Sequence, residues 1–182
     1  MADAELTQLA RDIDARCRLR GEFVLRSGQI ATEYFDKYLF EADPKLLGRV
    51  ASLMAARLPP GTEVLGGLEL GGVPLATALS QQTGLPALFV RKQAKTYGTR
   101  KLAEGPSPAG KRVTLVEDVI TTGGAVVAAT SALRDLGATV SAVVCAIDRS
   151  APGETALAAA GVEVLAVLTK AELDAAAAAG PF

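Results

Sequence analysis

The sequence contains no histidine and no tryptophan, and it has only two cysteines. Without histidine, Ser-His-Asp and Cys-His catalysis are excluded, as are the usual histidine-containing zinc and non-haem iron sites. Any acid–base chemistry must then use carboxylates, lysine, tyrosine or the substrate. The two cysteines, Cys17 and Cys145, are far apart and follow no metal or redox spacing. We therefore expect free buried thiols and not a disulfide framework.

An excess of charge of one sign is also missing, as are long apolar runs. The chain has 19 lysines and arginines against 20 aspartates and glutamates, a net charge of −1. This balance gives no general electrostatic reason to bind nucleic acid or an anionic membrane. The N-terminal segment is charged throughout and lacks the apolar core of a signal peptide, and no apolar run reaches the length of a membrane span. We expect a cytoplasmic protein that binds neither nucleic acid nor membrane.

The length and the order of apolar segments predict the fold class. The 182 residues correspond to about one domain at ~150 residues per domain. After residue 60, continuously apolar strands alternate with helical segments, which is typical of an α/β fold with a central, mainly parallel sheet flanked by helices. Predicted helices span residues 4–19, 44–58, 73–82, 122–136, 155–160 and 171–179, and predicted strands span residues 64–65, 87–91, 113–117, 140–147 and 162–168.

The first 40 residues differ from this alternating pattern. Gly21 ends the periodicity of the first helix, and short strands at residues 23–25 and 31–39 flank a turn at 27–29. They predict a hairpin outside the main sheet. Asp43 and Pro44 then predict the N-cap and first position of the next helix.

Residues 92–110 form a long polar segment with no periodicity. Structureless loops above ~12–15 residues are uncommon in compact domains and are often active-site lids. Positive charge is concentrated in and beside this segment, which favours a lid over a dispensable insertion and suits a substrate with several phosphates. The basic residues are Arg91, Lys92, Lys95, Arg100, Lys101 and Lys111.

The most informative stretch is VTLVEDVITTGGA, residues 113–125. A predicted strand ends in Glu117 and Asp118, and a Thr/Gly turn then leads into a helix. Ligands of parallel sheets bind at the carboxyl ends of strands, and a helix N-terminus with glycines is a favourable phosphate site. Two adjacent acids would repel a phosphate, but they can accept hydrogen bonds from sugar hydroxyls or hold magnesium through them. The stretch predicts a sugar-phosphate site at the tip of this strand.

Together with three other segments, this stretch carries a resemblance. VEDVITTGGA resembles the phosphoribosyl-pyrophosphate (PRPP) signature of the type I phosphoribosyltransferase family. GEFVLRSGQIATEYFDKYLF near the start, GGVPLA after Leu70, and VRKQAKTYGTRKLAEG are similar, in the same order, to the orotate phosphoribosyltransferases of that family. Together with AIDR, these segments span residues 21–149.

The resemblance implies a type I phosphoribosyltransferase fold over residues 1–182 as a single domain. An N-terminal helix and hairpin hood would occupy residues 1–40, and a flexible catalytic loop residues 92–110. The implied reaction transfers ribose 5-phosphate from PRPP to N1 of orotate and releases pyrophosphate and orotidine 5′-monophosphate. It also implies magnesium bound mainly through PRPP, with no protein metal site, and a homodimer whose active sites are shared across the interface.

The resemblance also assigns residues to roles. Lys95 and Asp118 would be catalytic, and the backbone of residues 69–72 would lie against the pyrophosphate. The positions implied for PRPP binding are Arg91, Lys92, Lys95, Tyr97, Glu117, Asp118, Val119, Ile120, Thr121, Thr122, Gly123, Gly124 and Ala125. Those implied for orotate binding are Arg26, Tyr34, Phe35, Thr121 and Arg149. Because adjacent strand residues face opposite sides, at most one of Tyr34 and Phe35 is expected to meet the base directly.

Three positions depart from the family pattern. Tyr97 replaces a histidine, Gly71 replaces a lysine that often precedes the G-[IV]-P turn, and Arg26 replaces a lysine while keeping the charge. Two alternatives therefore stay open: a phosphoribosyltransferase for another base, or a non-enzymatic regulator that senses PRPP or a nucleotide. The hairpin and Arg149 argue against the first, and the basic loop against the second.

Overall fold

The computed structural model describes residues 2–25, 27–93, 102–151 and 156–178, with side chains from residue 4 onwards. The helices within these ranges are α1 (Ala2–Cys17), α2 (Tyr38–Glu41), α3 (Pro44–Ala55), α4 (Gly72–Thr83), α5 (Gly124–Asp135), α6 (Ala156–Ala159) and α7 (Lys170–Ala178). The strands are β1 (Arg18–Val24), β2 (Ile30–Phe35), β3 (Val64–Leu68), β4 (Ala87–Val90), β5 (Ala103–Glu104), β6 (Val113–Ile120), β7 (Ala142–Asp148) and β8 (Glu163–Thr169).

The central sheet has the strand order β5-β4-β3-β6-β7-β8. All of its neighbouring strands pair in parallel except β5, which is antiparallel to β4. Every residue of β3 is buried, as are nearly all residues of β6 and β7, because helices cover both faces. This confirms the predicted α/β fold class with a mainly parallel sheet.

Two apolar layers sandwich the sheet. Helices α1, α3, α4 and α7 pack on one face around Leu9, Ile13, Phe40 and Met54, all with no exposed surface. Helices α5 and α6 cover the other face with Leu133 and Leu157. Cys17 and Cys145 are buried in these two layers and are free, as predicted.

The N-terminal hairpin forms its own two-stranded sheet, β1 with β2, as predicted. Its predicted bounds are wrong at two places. Strand β1 begins at Arg18 and runs through Gly21, because a bulge between Arg20 and Phe23 accommodates the glycine. Strand β2 ends at Phe35 instead of residue 39, because the Asp36 carboxylate accepts the Tyr38 N–H at 3.1 Å and turns the chain into helix α2.

Helix α3 begins as the sequence predicts. Asp43 is its N-cap, with Pro44 in the first turn, and the Asp43 carboxylate accepts the N–H groups of Lys45 at 2.9 Å and Leu46 at 3.2 Å. The predicted structureless segment 92–110 is wrong in its C-terminal part. Ala103 and Glu104 form strand β5 against β4, while residues 94–101 lie outside the described ranges. None of the helices in the described ranges combines the length and apolar character needed to cross a lipid bilayer.

Candidate active site

Strand β6 carries the two acidic residues of the predicted sugar-phosphate site. The prediction that the strand ends at residue 117 is wrong, because β6 keeps pairing with β7 as far as Ile120 opposite Asp148. Glu117 and Asp118 thus lie inside the strand, where they alternate between its faces. Glu117 is 8% exposed and Asp118 is 0% exposed. The acids belong to a buried part of the site and not to a strand tip open to solvent.

Asp118 is enclosed by groups from two other elements, α2 and α4, and from its own strand. The Lys37 ammonium, from the residue before α2, lies 2.6 Å from Asp118 Oδ2. The other oxygen, Oδ1, accepts the N–H of Val119 at 2.6 Å. Glu41 of α2 is buried beside this pair, and a Cβ atom at Gly71 would lie 1.8 Å from Asp118 Oδ2 and 2.9 Å from Glu41 Oε1.

The pKa values of the carboxyl groups in this cluster are shifted in opposite directions. Burial raises the pKa of both Glu117 and Glu41, and their hydrogen bonds with Asp118 and its negative charge raise them further. Burial also acts to raise the pKa of Asp118, but hydrogen bonds with Glu117, Glu41 and Lys37 outweigh it and hold that pKa below its usual range. Burial acts to lower the pKa of Lys37, and Asp118 reverses this effect, so the pKa is raised. The buried charges are therefore the Asp118 carboxylate and the Lys37 ammonium.

The Thr/Gly turn leads directly from β6 into α5. Gly123 is the N-cap with φ of 73°, in the left-handed region that favours glycine, and a Cβ atom there would lie 2.8 Å from Leu157. Thr121, Thr122 and Gly124 are exposed. The first N–H groups of a helix have no intrahelical acceptor, so the start of α5 leaves backbone donors at the edge of the sheet where the sequence predicts an anion site.

A pocket connects this turn to two of the predicted basic residues. Its lining includes Arg91, Lys92 and Ala125, together with Leu68, Glu69, Val90, Leu102, Ala128 and Ala129. The Glu69 carboxylate accepts the N–H of Lys92 at 2.9 Å. The sequence gives Glu69 no firm role, whereas the structure shows that it connects the turn after β3 to the start of the basic segment.

Arg149 follows β7 and lies next to the Thr/Gly turn. Its N–H donates to the carbonyl of Ile120 at 2.8 Å, and its guanidinium carbon lies 5.5 Å from the centroid of the Phe35 ring. Tyr34 instead contacts Phe23, with 5.6 Å between ring centroids. The two adjacent aromatic side chains thus make different contacts, and Phe35 is the one beside Arg149.

The structure brings many of the predicted residues to one edge of the sheet, but not all can be located. Glu117 to Ala125, Arg91, Lys92, Phe35 and Arg149 lie on the elements just described. Arg26, Lys95 and Tyr97 lie outside the described residues. Sequence reasoning missed Lys37 and Glu41. The only signal for them is their position just after the hairpin, which does not reveal that they meet Asp118.

Comparisons with known proteins identify the family of the chain. A family model described as "Phosphoribosyl transferase domain" matches residues 44–160. A curated orotate phosphoribosyltransferase of Nocardioides sp. is 72% identical over 172 residues, which cover 94% of this chain and 96% of that protein.

Solved structures of orotate phosphoribosyltransferases are similar to this chain as well. The orotate phosphoribosyltransferase of Mycobacterium tuberculosis in complex with inorganic phosphate has a TM-score of 0.81 at 32% identity, covering 94% of this chain and 99% of that one. Its complex with PRPP has a TM-score of 0.76 at 32% identity, covering 93% and 99%. The chain therefore belongs to the phosphoribosyltransferase family and, within it, to the orotate phosphoribosyltransferases.

Proposed function

We propose that this chain is a pentosyltransferase that transfers ribose 5-phosphate from PRPP to N1 of orotate, giving orotidine 5′-monophosphate and pyrophosphate in de novo pyrimidine (UMP) biosynthesis. One arrangement carries the proposal. The paired ends of β6 and β7 bring the acidic pair, the Thr/Gly turn and Arg149 together, with the Arg149 N–H bonded to Ile120. These groups suit a ribose, a phosphate and an anionic base respectively. The relatives named above support the choice of PRPP and orotate.

The Thr/Gly turn holds the 5′-phosphate of PRPP. Its residues Thr121 and Thr122 offer hydroxyl groups, and the start of α5 offers backbone N–H groups. Gly123 and Gly124 let the backbone approach the anion closely. Val119 and Ile120 lead the chain from the acidic pair into this turn.

Glu117 and Asp118 accept hydrogen bonds from the ribose hydroxyls. Asp118 is the ionised member of the pair, because its pKa is held low while that of Glu117 is raised by burial. Asp118 has no exposed surface without substrate, so the neighbouring Glu41 carboxyl must move aside when the diol enters.

Arg91 and Lys92 bind the pyrophosphate beside the backbone of residues 69–72. They share a pocket with Ala125 at the start of α5, so the positive charge lies next to the phosphate turn. The resemblance assigns Lys95 and Tyr97, which lie outside the described residues, to PRPP as well. Negative charge grows on the departing pyrophosphate in the transition state, and Lys95 stabilises it.

Orotate lies between the hairpin and the end of β7. Arg149 binds the orotate carboxylate, and its contact with Phe35 places an aromatic ring at the same position. Thr121 contacts the base and Tyr34 belongs to the hood, and the resemblance assigns Arg26 to the base as well. N1 of orotate is a nucleophile once deprotonated, so the absence of histidine does not prevent the reaction.

Magnesium suits this site as an ion carried by the substrate. Within the described ranges, no group of three or more carboxylate or thiol side chains has the geometry to hold a metal. Magnesium binds phosphate oxygens readily and keeps several waters, so it needs few protein ligands. When bound, it neutralises charge on the pyrophosphate. Its attachment would therefore be mainly through PRPP.

We also propose that the chain forms a homodimer. In the family, part of the basic loop closes over the neighbouring subunit's site, so residues 92–110 of one subunit would complete the active site of the other. The chain as a whole would then act as one phosphoribosyltransferase domain per subunit.

The test is the loss of orotate absorbance when PRPP is added to the purified protein with magnesium. We expect turnover that needs all three components. Turnover with another base but not with orotate would overturn the proposed substrate. PRPP binding without turnover of any base would replace the enzyme with a PRPP-sensing regulator.

A further inference from the structure

We infer that Lys37 is a positioning residue, which holds the Asp118 carboxylate in the orientation that receives the ribose of PRPP. The inference rests on the proposed function, because it concerns how Asp118 is prepared for that substrate. Lys37 is not among the residues that the resemblance assigns to PRPP or to orotate, and the sequence does not single it out.

The first argument is geometric. Lys37 Nζ lies 2.6 Å from Asp118 Oδ2, and the Lys37 side chain is 34% exposed whereas that of Asp118 is 0% exposed. Asp118 Oδ1 is already held by the N–H of Val119. One oxygen is thus fixed by the strand itself, and the other by Lys37. Removing Lys37 would leave Oδ2 without its cation, beside the carboxyl groups of Glu117 and Glu41.

The second argument is electrostatic. Glu41 and Glu117 are both buried beside Asp118. Within the described ranges, Lys37 is the only cation that forms an ion pair with any of these three carboxyl groups. A buried carboxylate that loses its cation becomes protonated or rearranges. Asp118 would then be a poorer acceptor for a ribose hydroxyl.

The third argument comes from Gly71. A side chain there would overlap Asp118, with its Cβ atom 1.8 Å from Oδ2. The family pattern often has a lysine at this position, and here that lysine is missing. The cation paired with Asp118 Oδ2 is instead Lys37, at 2.6 Å. The positive charge at this place is thus supplied by the segment after the hairpin.

The direct test is the affinity for PRPP, measured by calorimetry with magnesium and without orotate so that no turnover occurs. We expect Lys37→Met to weaken PRPP binding roughly 10- to 100-fold, the range for loss of a hydrogen bond to a charged group. Lys37→Arg should restore most of the affinity. The matched control is Lys170→Met, which removes an exposed Lys170–Asp174 pair on α7 and should bind PRPP like the wild type.

A double-mutant cycle separates positioning from a merely structural role. In an Asp118→Asn background, Lys37→Met should change PRPP affinity by less than about threefold, because the partner charge is already gone. In steady-state assays, Lys37→Met should raise KM for PRPP more than KM for orotate. If Lys37→Met does not fold, Lys37→Gln takes its place, since it removes the charge but keeps a shorter side chain with an N–H donor.

Several outcomes would overturn the inference. They are unchanged PRPP affinity in the folded Lys37 variant, no rescue by arginine, or an equal loss of affinity in both backgrounds of the cycle. A wild-type protein that binds PRPP but does not consume orotate would reject the proposed reaction and still leave the Lys37 test valid. A wild-type protein that does not bind PRPP would overturn both.

Discussion

The guanidinium carbon of Arg149 lies 5.5 Å from the centroid of the Phe35 ring. Arg149 belongs to the end of the central sheet, and Phe35 to the separate N-terminal hairpin. An arginine over an aromatic face is attracted to the ring and keeps its N–H groups available at the edges. The contact therefore connects the hairpin to the sheet at the place proposed for orotate.

Replacement of Arg149 should affect orotate more than PRPP. We expect Arg149→Gln to raise KM for orotate roughly 10- to 100-fold, because a charge-assisted bond to the carboxylate is lost. KM for PRPP should change less than about threefold. Initial-rate kinetics with each substrate varied in turn measure both constants. Arg20→Gln on the hairpin, where the Arg20 side chain is 84% exposed, is the control. An equal rise in both constants would contradict a specific role in orotate binding.

Gly71 should not tolerate even one added methyl group. Its φ is −66°, which any residue adopts, so the constraint is the space filled by Asp118 and Glu41. Gly71→Ala should lower the free energy of unfolding by ~1–3 kcal/mol, as overpacking does, and weaken PRPP binding.

Urea denaturation measures this change, with Gly48→Ala as the control. Gly48 lies inside α3 with nothing within 4 Å of an added Cβ atom. That substitution should stabilise the protein by about 0.5–1 kcal/mol. If both variants behave alike, the crowding around Gly71 does not limit substitution.

Lys95→Ala should separate activity from stability. If Lys95 stabilises the departing pyrophosphate, its removal should lower kcat about 100- to 1,000-fold. The free energy of unfolding should change by less than about 0.5 kcal/mol, because the residue belongs to a polar segment that the sequence places outside the core. Lys45→Ala, at an exposed position of α3, is the control. Parallel losses of melting temperature and rate would make Lys95 a structural residue.

The N-cap of α3 should give a pH-dependent stability. Hydrogen bonds from the N–H groups of Leu46 and Lys45 hold the pKa of Asp43 below its ordinary value. A lowered folded-state pKa stabilises the protein above the unfolded pKa, about 3.9, and this contribution disappears as pH falls through the folded value. Asp43→Ala should therefore lower Tm clearly at pH 7.

The difference in Tm between wild type and Asp43→Ala should shrink as the pH falls below about 4. Thermal unfolding followed by circular dichroism at several pH values measures it. Asp43→Asn, which keeps an acceptor oxygen, should lose less stability at pH 7 than Asp43→Ala. A Tm difference that is constant from pH 7 to the acid range would show that the carboxylate charge is not involved.

Much of the fold was predictable because its signals are local. Apolar strands alternating with helical segments predicted the mainly parallel sheet, and Asp43 with Pro44 marked the start of α3. The family assignment suggested by the resemblance is confirmed by the comparisons. The role of each site residue, the magnesium and the dimer stay predictions.

The predicted strand bounds were wrong where contacts of the folded chain overrode the local sequence signals. Strand β6 continues past Glu117 because β7 offers it further hydrogen bonds up to Asp148. Strand β2 ends at Phe35 because Asp36 turns the chain and Phe40 is buried in the core. The pairing with β7 and the burial of Phe40 cannot be read from a window of neighbouring residues, whereas the turn at Asp36 is a local signal.

The amino-acid sequence by itself determines where strands, turns and helices form, because periodicity, capping and glycine conformation act over a few positions. It also places the acidic pair directly before the Thr/Gly turn. Only the packed molecule brings Lys37, Glu41 and Gly71 around Asp118, from segments far apart in the chain. The reason is that the pKa of a buried ionisable group depends on every group that encloses it. Those groups become neighbours only when the helices and the hairpin pack over the sheet.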